Sequence, residues 1–463
     1  MIFHKNRCKL LSLIFLLNVF SFIHAQEDTH QRFTLMGLGD SITEGGDTFS
    51  SYLFPLWEKL FTGGYLVDFI GPQKQACRIG ELHHAGYSGK TVEYLESVID
   101  SLYREYPADI VLLHAGHNHF VEENPIPEMI KAYRSIIGKI KTIRPDAIIL
   151  LAQVIESGKL PKYSYIPDLN KEIAKLVASY DNPQIKLVNQ AAGFDWKEDT
   201  VADKVHPNTQ GASKMAQSWY HALEKILPVP SQKFYPEIVP YKIVDGDTLS
   251  MHIFKPQPSR NNSLSPVIVY FFGGGWKLGT PLQFYRECAY YASLGMTAVT
   301  VDYRIEFLHH TTPDESLDDA RDAICFLREQ ADAWHIDPDR IAASGASAGG
   351  YLAAAAGLEE CNDKACSSPN LLVLNYAVLE RIKTLKNHPP PILFLVGSAD
   401  HLVPLDAVSN FQQKVQQQNG LFELHLFEGA QHPIFLYRKD PDANFYKVRN
   451  LTDIFLKQYG YLH

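Results

Sequence analysis

Two serines in this 463-residue chain stand where a hydroxyl can be turned into a nucleophile: Ser41 in Gly39-Asp40-Ser41-Ile42-Thr43, and Ser347 in Gly345-Ala346-Ser347-Ala348-Gly349. A serine attacks an acyl carbon only when a base takes its proton. The base works best when a carboxylate holds its far nitrogen. Asp203-Lys204-Val205-His206 sets a carboxylate three residues before a histidine, so that one tight turn brings the two together. Asp400, in Gly397-Ser398-Ala399-Asp400, and His432, in Gly429-Ala430-Gln431-His432, supply a second pair. The order Ser347, Asp400, His432 is one of several chain orders in which such a triad occurs.

The attacked carbonyl oxygen becomes an anion and needs hydrogen-bond donors. Near the first serine the candidates are a backbone N–H of the two-glycine loop at 84–91 and the side-chain amide of Asn118 in Gly116-His117-Asn118. Near the second they are the N–H of Ala348, at the start of an alanine-rich helix, and those of Gly274 and Gly275 in Phe272-Gly273-Gly274-Gly275-Trp276. Each piece alone has an ordinary explanation. A Ser-Thr pair among glycines suits a helix cap and its turn, a glycine run suits a turn, and a lone histidine is more often structural. Their joint presence in order points to two hydrolytic sites. His309, His310 and His401 read as surface or loop histidines, and Asp302 as structural.

Apolar segments must place these groups. Runs at 33–38, 109–114, 147–152 and 185–188 read as strands alternating with amphipathic helices, which predicts a parallel sheet with crossover helices. Ser41 follows the first run, at the carboxyl edge where open α/β sheets hold ligands. Residues 84–91, with two glycines, read as a loop. A proline-rich break at 228–236 separates a second set. It opens with a hairpin at 241–254 turned at Asp245-Gly246-Asp247, followed by strands at 267–272, 297–301, 340–344, 371–375, 392–396 and 423–427. A helix is predicted over 316–333, with Leu317, Ala320, Ile324 and Leu327 on one face.

The composition, 46% hydrophobic and 21% charged, is that of a globular protein too long for one core. Lys5, Arg7 and Lys9 precede an apolar run at 10–22 that is too short to span a bilayer, and small residues follow it. The expectation is a signal peptide over 1–25, cleaved after Ala25, and a secreted or periplasmic product with no membrane span. Loss of those three basic residues takes the formal charge from −9 to −12, which argues against a nucleic-acid partner. Cys361 and Cys366 bracket a polar loop and are expected either to pair in an oxidising compartment or to stay free thiols.

The first set of motifs resembles the SGNH hydrolase superfamily over residues 32–226. Gly39 to Thr43, Ser88-Gly89, Gly116-His117-Asn118 and Asp203 to His206 match its four blocks. Within it, Leu66 to Gly71 followed by His84 to Gly89 looks like carbohydrate esterase family 3, the acetyl xylan esterases. The resemblance implies Ser41 as nucleophile, His206 as base and Asp203 as its partner. Ser41, Gly89 and Asn118 would form the oxyanion hole. His119 and Lys90 depart from the family pattern beside the site. The second set resembles the esterase/lipase branch of the α/β-hydrolase superfamily over 237–463, and is closest to hormone-sensitive-lipase-like and bacterial feruloyl or acetyl esterases. Phe272 stands there where histidine is usual.

The expected fold class is therefore α/β. A three-layer, flavodoxin-like SGNH domain occupies 26–227, a linker 228–236 and an α/β-hydrolase domain 237–463. The expected function is dual-domain serine esterase action on an acylated polysaccharide or oligosaccharide such as xylan. Acetyl is the first group removed, with acetyl or feruloyl at the second site, and the chemistry calls for neither metal nor organic cofactor. Three rival readings stay open: one half as an inactive binding module, the first half as a sialate O-acetylesterase, and the second half as a peptidase. Only 377–389 lies between the predicted strands around it, too short for a folded lid, so the second site is expected to be open, with Trp276 and Tyr285 at its mouth.

Overall fold

The computed structural model describes residues 33–230, 233–257, 263–432, 434 and 443–463. The expected signal peptide, residues 1–25, lies outside the described residues. Two sheets organise the rest. The first contains β1 (Phe33–Gly39), β2 (Val67–Phe69), β3 (Gln73–Cys77), β4 (Gly80–Gly86), β5 (Ile110–His114), β6 (Ile148–Gln153) and β7 (Ile185–Asn189). Its order is β3-β4-β1-β5-β6-β7, with β2 also beside β1.

The four strands predicted in this half appear as β1, β5, β6 and β7, joined in parallel. Alternation along them sorts side chains into two cores. Met36, Leu38, Val111 and Leu113 pack under the helices Val92–Glu105, Ile126–Ile143 and Ile166–Ala178. Leu35, Ile110, Leu112 and Leu150 pack under the helices Leu53–Thr62 and Thr209–Glu224. A sheet covered on both faces explains why β5 is buried throughout and apolar up to His114. Residues 84–86, expected in a loop, instead end β4. Backbone pairing on both sides captures them, antiparallel to β3 and parallel to β1 at Leu38–Ala85 and Gly39–Gly86.

The second sheet contains β8 (Glu237–Val244), β9 (Asp247–Phe254), β10 (Ser265–Phe271), β11 (Thr297–Val301), β12 (Ile336–Ala346), β13 (Leu371–Asn375), β14 (Ile392–Gly397) and β15 (Phe422–Phe427), in the order β15-β14-β13-β12-β10-β11-β9-β8. The predicted hairpin is β8–β9. Its turn has positive φ at both Asp245 (53°) and Gly246 (88°), as a two-residue hairpin turn requires. The predicted helix forms as Pro313–Glu329 and a short turn, Ala331–Trp334. It starts ahead of the predicted residue because Thr312 and Glu315 close a capping box around Pro313.

The cysteine expectation needs correction. Cys366 pairs with Cys325, not with Cys361, which is free. The turn Asn362–Ser367 lies along the Pro313–Glu329 helix, held by ion pairs from Lys364 to Asp318 and Asp322. That packing brings Cys366 opposite Cys325, with Cα atoms 4.9 Å apart.

The proline-rich segment is not a free tether. Phe234 is buried against Phe61 and Tyr285, and its N–H bonds to Thr62 O at 2.9 Å. Arg78, in the β3–β4 turn, reaches the second sheet. Its Nη2 pairs with Asp302 at 2.9 Å and its Nε donates to Gly279 O at 2.9 Å. The structural role expected for Asp302 is thus at the contact between the two halves.

Candidate active sites

Ser41 opens a four-residue helical turn directly after β1. Asp40 caps that turn by accepting from the Ile42 N–H at 3.0 Å. Ser41 Oγ lies 2.8 Å from His206 Nε2, and His206 Nδ1 lies 2.5 Å from Asp203 Oδ2. The other Asp203 oxygen accepts the backbone N–H groups of Val205 and His206 at 2.8 and 3.0 Å, closing the Asp-X-X-His turn around Lys204, whose φ is 62°. Burial works against the Asp203 carboxylate, but the bonds from His206 and Val205 outweigh it and hold its pKa below the usual range.

Gly89 and the Gly116–Asn118 segment follow β4 and β5, both registered against Gly39 at the end of β1, so they share the edge that carries Ser41. Gly89 has φ 71° and Asn118 φ 72°. The Asn118 amide donates one hydrogen to Lys90 O at 3.0 Å, which ties the two candidate donor loops together and leaves its second hydrogen free for an anion. His119 turns away to Glu93 and Glu123, at 2.9 and 2.7 Å.

Sequence reasoning missed several groups here. Phe49 stacks on the His206 ring at 4.0 Å, and Glu44 accepts the Ser88 N–H at 2.5 Å. Behind the serine, Asp40 is fully buried, 3.8 Å from His117. Burial raises Asp40 to about 6 and lowers His117 to about 3. The signal for Asp40 was present, as an acid at the end of an apolar strand; for Phe49 there was none.

Ser347 joins β12 to the helix Ala348–Leu358 with φ 53° and ψ −115°, the strained geometry of a nucleophile elbow. Small neighbours make this possible. A Cβ on Gly345 would meet Gly349 O at 2.3 Å, and one on Gly349 would meet Phe271 O at 2.1 Å. Ser347 Oγ lies 2.9 Å from His432 Nε2, and His432 Nδ1 lies 2.7 Å from Asp400 Oδ2. Asp400 also accepts the N–H groups of Leu402 and Val403 at 2.8 and 3.0 Å.

Gly273 packs against this elbow, and a Cβ on it would lie 2.9 Å from Ala346 O. Gly274 and Gly275 have φ 136° and 66°, and Gln283 Oε1 accepts the Gly273 N–H at 2.6 Å. Ala348 opens the helix, so its N–H is free of an intrahelical partner. Tyr376, unforeseen, packs edge-on against His432 at 4.7 Å. Its place just past buried β13 was the available sign.

A cavity of about 530 Å³ adjoins Ser347 and His432. Segment 377–389 adds no helix, as expected, yet the site is not open on all sides. Trp57, Phe61 and Ile79 of the first half form part of its wall. Neither aromatic predicted at the mouth lines it. Tyr285 is buried with its hydroxyl 2.5 Å from His252, and Trp276 packs edge-on against Tyr351 at 5.5 Å. Among the described residues one acidic cluster could hold a cation, Asp318, Asp319 and Asp322. Lys242 pairs with all three, and Lys364 and Arg304 add further cations.

Comparison with known proteins agrees with this division. A GDSL-like Lipase/Acylhydrolase family model matches residues 38–214, and a BD-FAE model matches 251–372. Esterase LipC of Mycobacterium tuberculosis is 28% identical over 217 residues, covering 36% of this chain and 53% of that protein. Isoprenylcysteine alpha-carbonyl methylesterase ICME of Arabidopsis thaliana is 25% identical over 268 residues, covering 46% and 61%. The chain thus spans roughly half to three-fifths of the length of these relatives. The apo form of Thermogutta terrifontis esterase 2 is 32% identical, with a TM-score of 0.46, covering 49% of this chain and 96% of that one. The chain joins two esterase-type domains, a GDSL-like lipase/acylhydrolase domain followed by a BD-FAE domain of α/β-hydrolase type.

Proposed function

We propose that the chain is an exported dual serine esterase that deacylates a decorated plant polysaccharide such as xylan. The observation that carries this reading is the paired hydrogen-bond relay, Ser41–His206–Asp203 and Ser347–His432–Asp400. At each site the histidine takes the serine proton as Oγ attacks the ester carbonyl. The tetrahedral oxyanion rests on Ser41, Gly89 and Asn118 at the first site, and on Ala348, Gly274 and Gly275 at the second. The histidine returns the proton to the leaving sugar hydroxyl, and water then releases the acid from the acyl-serine.

The first site removes acetyl groups; the second removes acetyl or the bulkier feruloyl. The family 3 resemblance around Ser41 supports the first assignment, and the roomy cavity at Ser347 supports the bulkier option. Export is supported by the leader-like start and by the Cys325–Cys366 pair, which suits an oxidising compartment. No described helix is long and apolar enough to cross a membrane.

Ser41→Ala and Ser347→Ala, assayed on acetylated xylan, 4-nitrophenyl acetate and methyl ferulate, test the reading. Loss of xylan deacetylation in Ser41→Ala is expected; undiminished release of acetate would refute the first assignment. Full activity of Ser347→Ala on all three substrates would refute the second.

A further inference from the structure

The helix Leu53–Thr62 carries a broad apolar stripe that two cores share. Leu53, Leu56 and Leu60 are buried in the core of their own domain. Trp57 and Phe61, one turn apart on the flank of that face, stack at 5.4 Å and pack against the core of the BD-FAE domain, with Trp57 touching both cores. An apolar stripe that wide needs cover beyond its own domain's core. Here the second cover is only partial, because Trp57 and Phe61, with Ile79 from the β3–β4 turn, border the cavity that opens onto Ser347 and His432.

The same domain also grips the loop that supplies the candidate oxyanion donors. Arg78 donates to Gly279 O at 2.9 Å, and Gly279 N–H donates back to Arg78 O at 2.5 Å. Gly279 ends the 273–279 loop, and Leu278 N–H bonds to Gly274 O at 3.1 Å. Gly279 has φ 123°, and a Cβ there would lie 2.4 Å from the Phe272 ring, so the grip closes on a position that only glycine fits.

We infer that the GDSL-like domain builds the specificity wall of the other domain's active site, with Trp57, Phe61 and Ile79 receiving the bulky apolar end of the ester cleaved at Ser347. This inference rests on the reading of Ser347 as a nucleophile. At about 530 Å³ the cavity is within the range that encloses a whole small ligand. Its aromatic wall favours an apolar group much larger than acetyl, aliphatic or aromatic. The two domains are therefore one functional unit at this site: removal of the first would expose the cavity of the second.

The test uses the full chain in a Ser41→Ala background, so that only Ser347 turns over ester. One series lengthens the acyl group of 4-nitrophenyl esters from acetate to decanoate and includes the cinnamate. A second lengthens the alcohol of alkyl acetates. Ile79→Trp fills the cavity, and its bulky-to-small ratio of kcat/KM is expected to fall at least tenfold in one series. Trp57→Ala enlarges the cavity and is expected to move the optimum of that series to larger groups. A response to cinnamate but not decanoate, or the reverse, names the ligand class.

Unchanged profiles in both series for both variants would overturn the inference. A parallel binding arm separates it from the catalytic reading. Protein carrying both Ser41→Ala and Ser347→Ala should bind uncleaved 4-nitrophenyl decanoate or cinnamate at least tenfold more weakly once Ile79→Trp is added. If binding responds while the Ser41→Ala protein hydrolyses nothing, the cavity assignment stands and the nucleophile assignment falls.

Discussion

The two candidate acids sit in different surroundings, and their removal should have different consequences. The Asp203 side chain is 40% exposed, whereas that of Asp400 is fully buried. In the proposed mechanism each carboxylate stabilises the imidazolium that forms when the histidine takes the serine proton. Opposite charges about 4 Å apart attract by about 4 kcal/mol at an effective dielectric of about 20, and by about 1 kcal/mol in bulk water. Asp400 works near the first limit and Asp203 between the two, because water reaches it. Asp400→Ala should therefore lower kcat by roughly 10³-fold and Asp203→Ala by about 10- to 100-fold, at about 1.4 kcal/mol per decade. Ring orientation does not reverse this order, since Phe49 stacks on His206 much as Tyr376 abuts His432. Hydrolysis of 4-nitrophenyl acetate is the assay, with Asp203→Ala measured in Ser347→Ala protein and Asp400→Ala in Ser41→Ala protein. Equal losses, or a larger loss at Asp203, would refute the link between exposure and electrostatic contribution.

Other consequences follow from particular residues. Gly274→Ala should lower Ser347-dependent kcat by about 10²–10³-fold, because its Cβ would lie 2.1 Å from Leu278 O; Gly275→Ala, with nothing within 4 Å, should lower it less. Burial raises Asp40 from 3.8 to about 6, against the bond from Ile42 and the pull of His206. The folded state then holds a proton that the unfolded state has released, so this residue's contribution to stability falls as pH rises from about 4 to 6. Relative to wild type, Asp40→Asn should thus gain on the order of 3 kcal/mol between pH 4 and 7 in denaturant titrations; a pH-independent difference would contradict it. Cys325→Ser closes off a cross-link spanning 41 residues. It should lower stability by about 4 kcal/mol in a chain-entropy account, with Cys361→Ser leaving the melting curve in place.

Much of the architecture was legible because local rules and tertiary packing agree. Buried parallel strands such as β5 read as unbroken apolar runs, and Asp245-Gly246 announces its own turn. The glycines around Ser347 were legible because the elbow tolerates nothing larger. What escaped depended on distant partners. Residues 84–86 gave no strand signal because pairing with β1, rather than their own alternation, makes them a strand. Cys325 lies 41 residues from Cys366, whereas Cys361 is close in sequence but free. The cavity wall escaped for the same reason: Trp57 and Phe61 carry no local sign that they border a site more than 200 residues further along the chain. Segment 377–389 adds no lid, and the cover that narrows the site comes from the preceding domain rather than from an insertion.

The most direct test of two independent serine nucleophiles is to count them. The intact protein, treated with excess paraoxon and digested for peptide mass spectrometry, should carry two diethylphosphoryl groups, one on the peptide with Ser41 and one on the peptide with Ser347. Each should vanish in its own alanine variant while the other remains. A single adduct on fully folded protein, or labelling of Ser41 that depends on Ser347, would contradict the account.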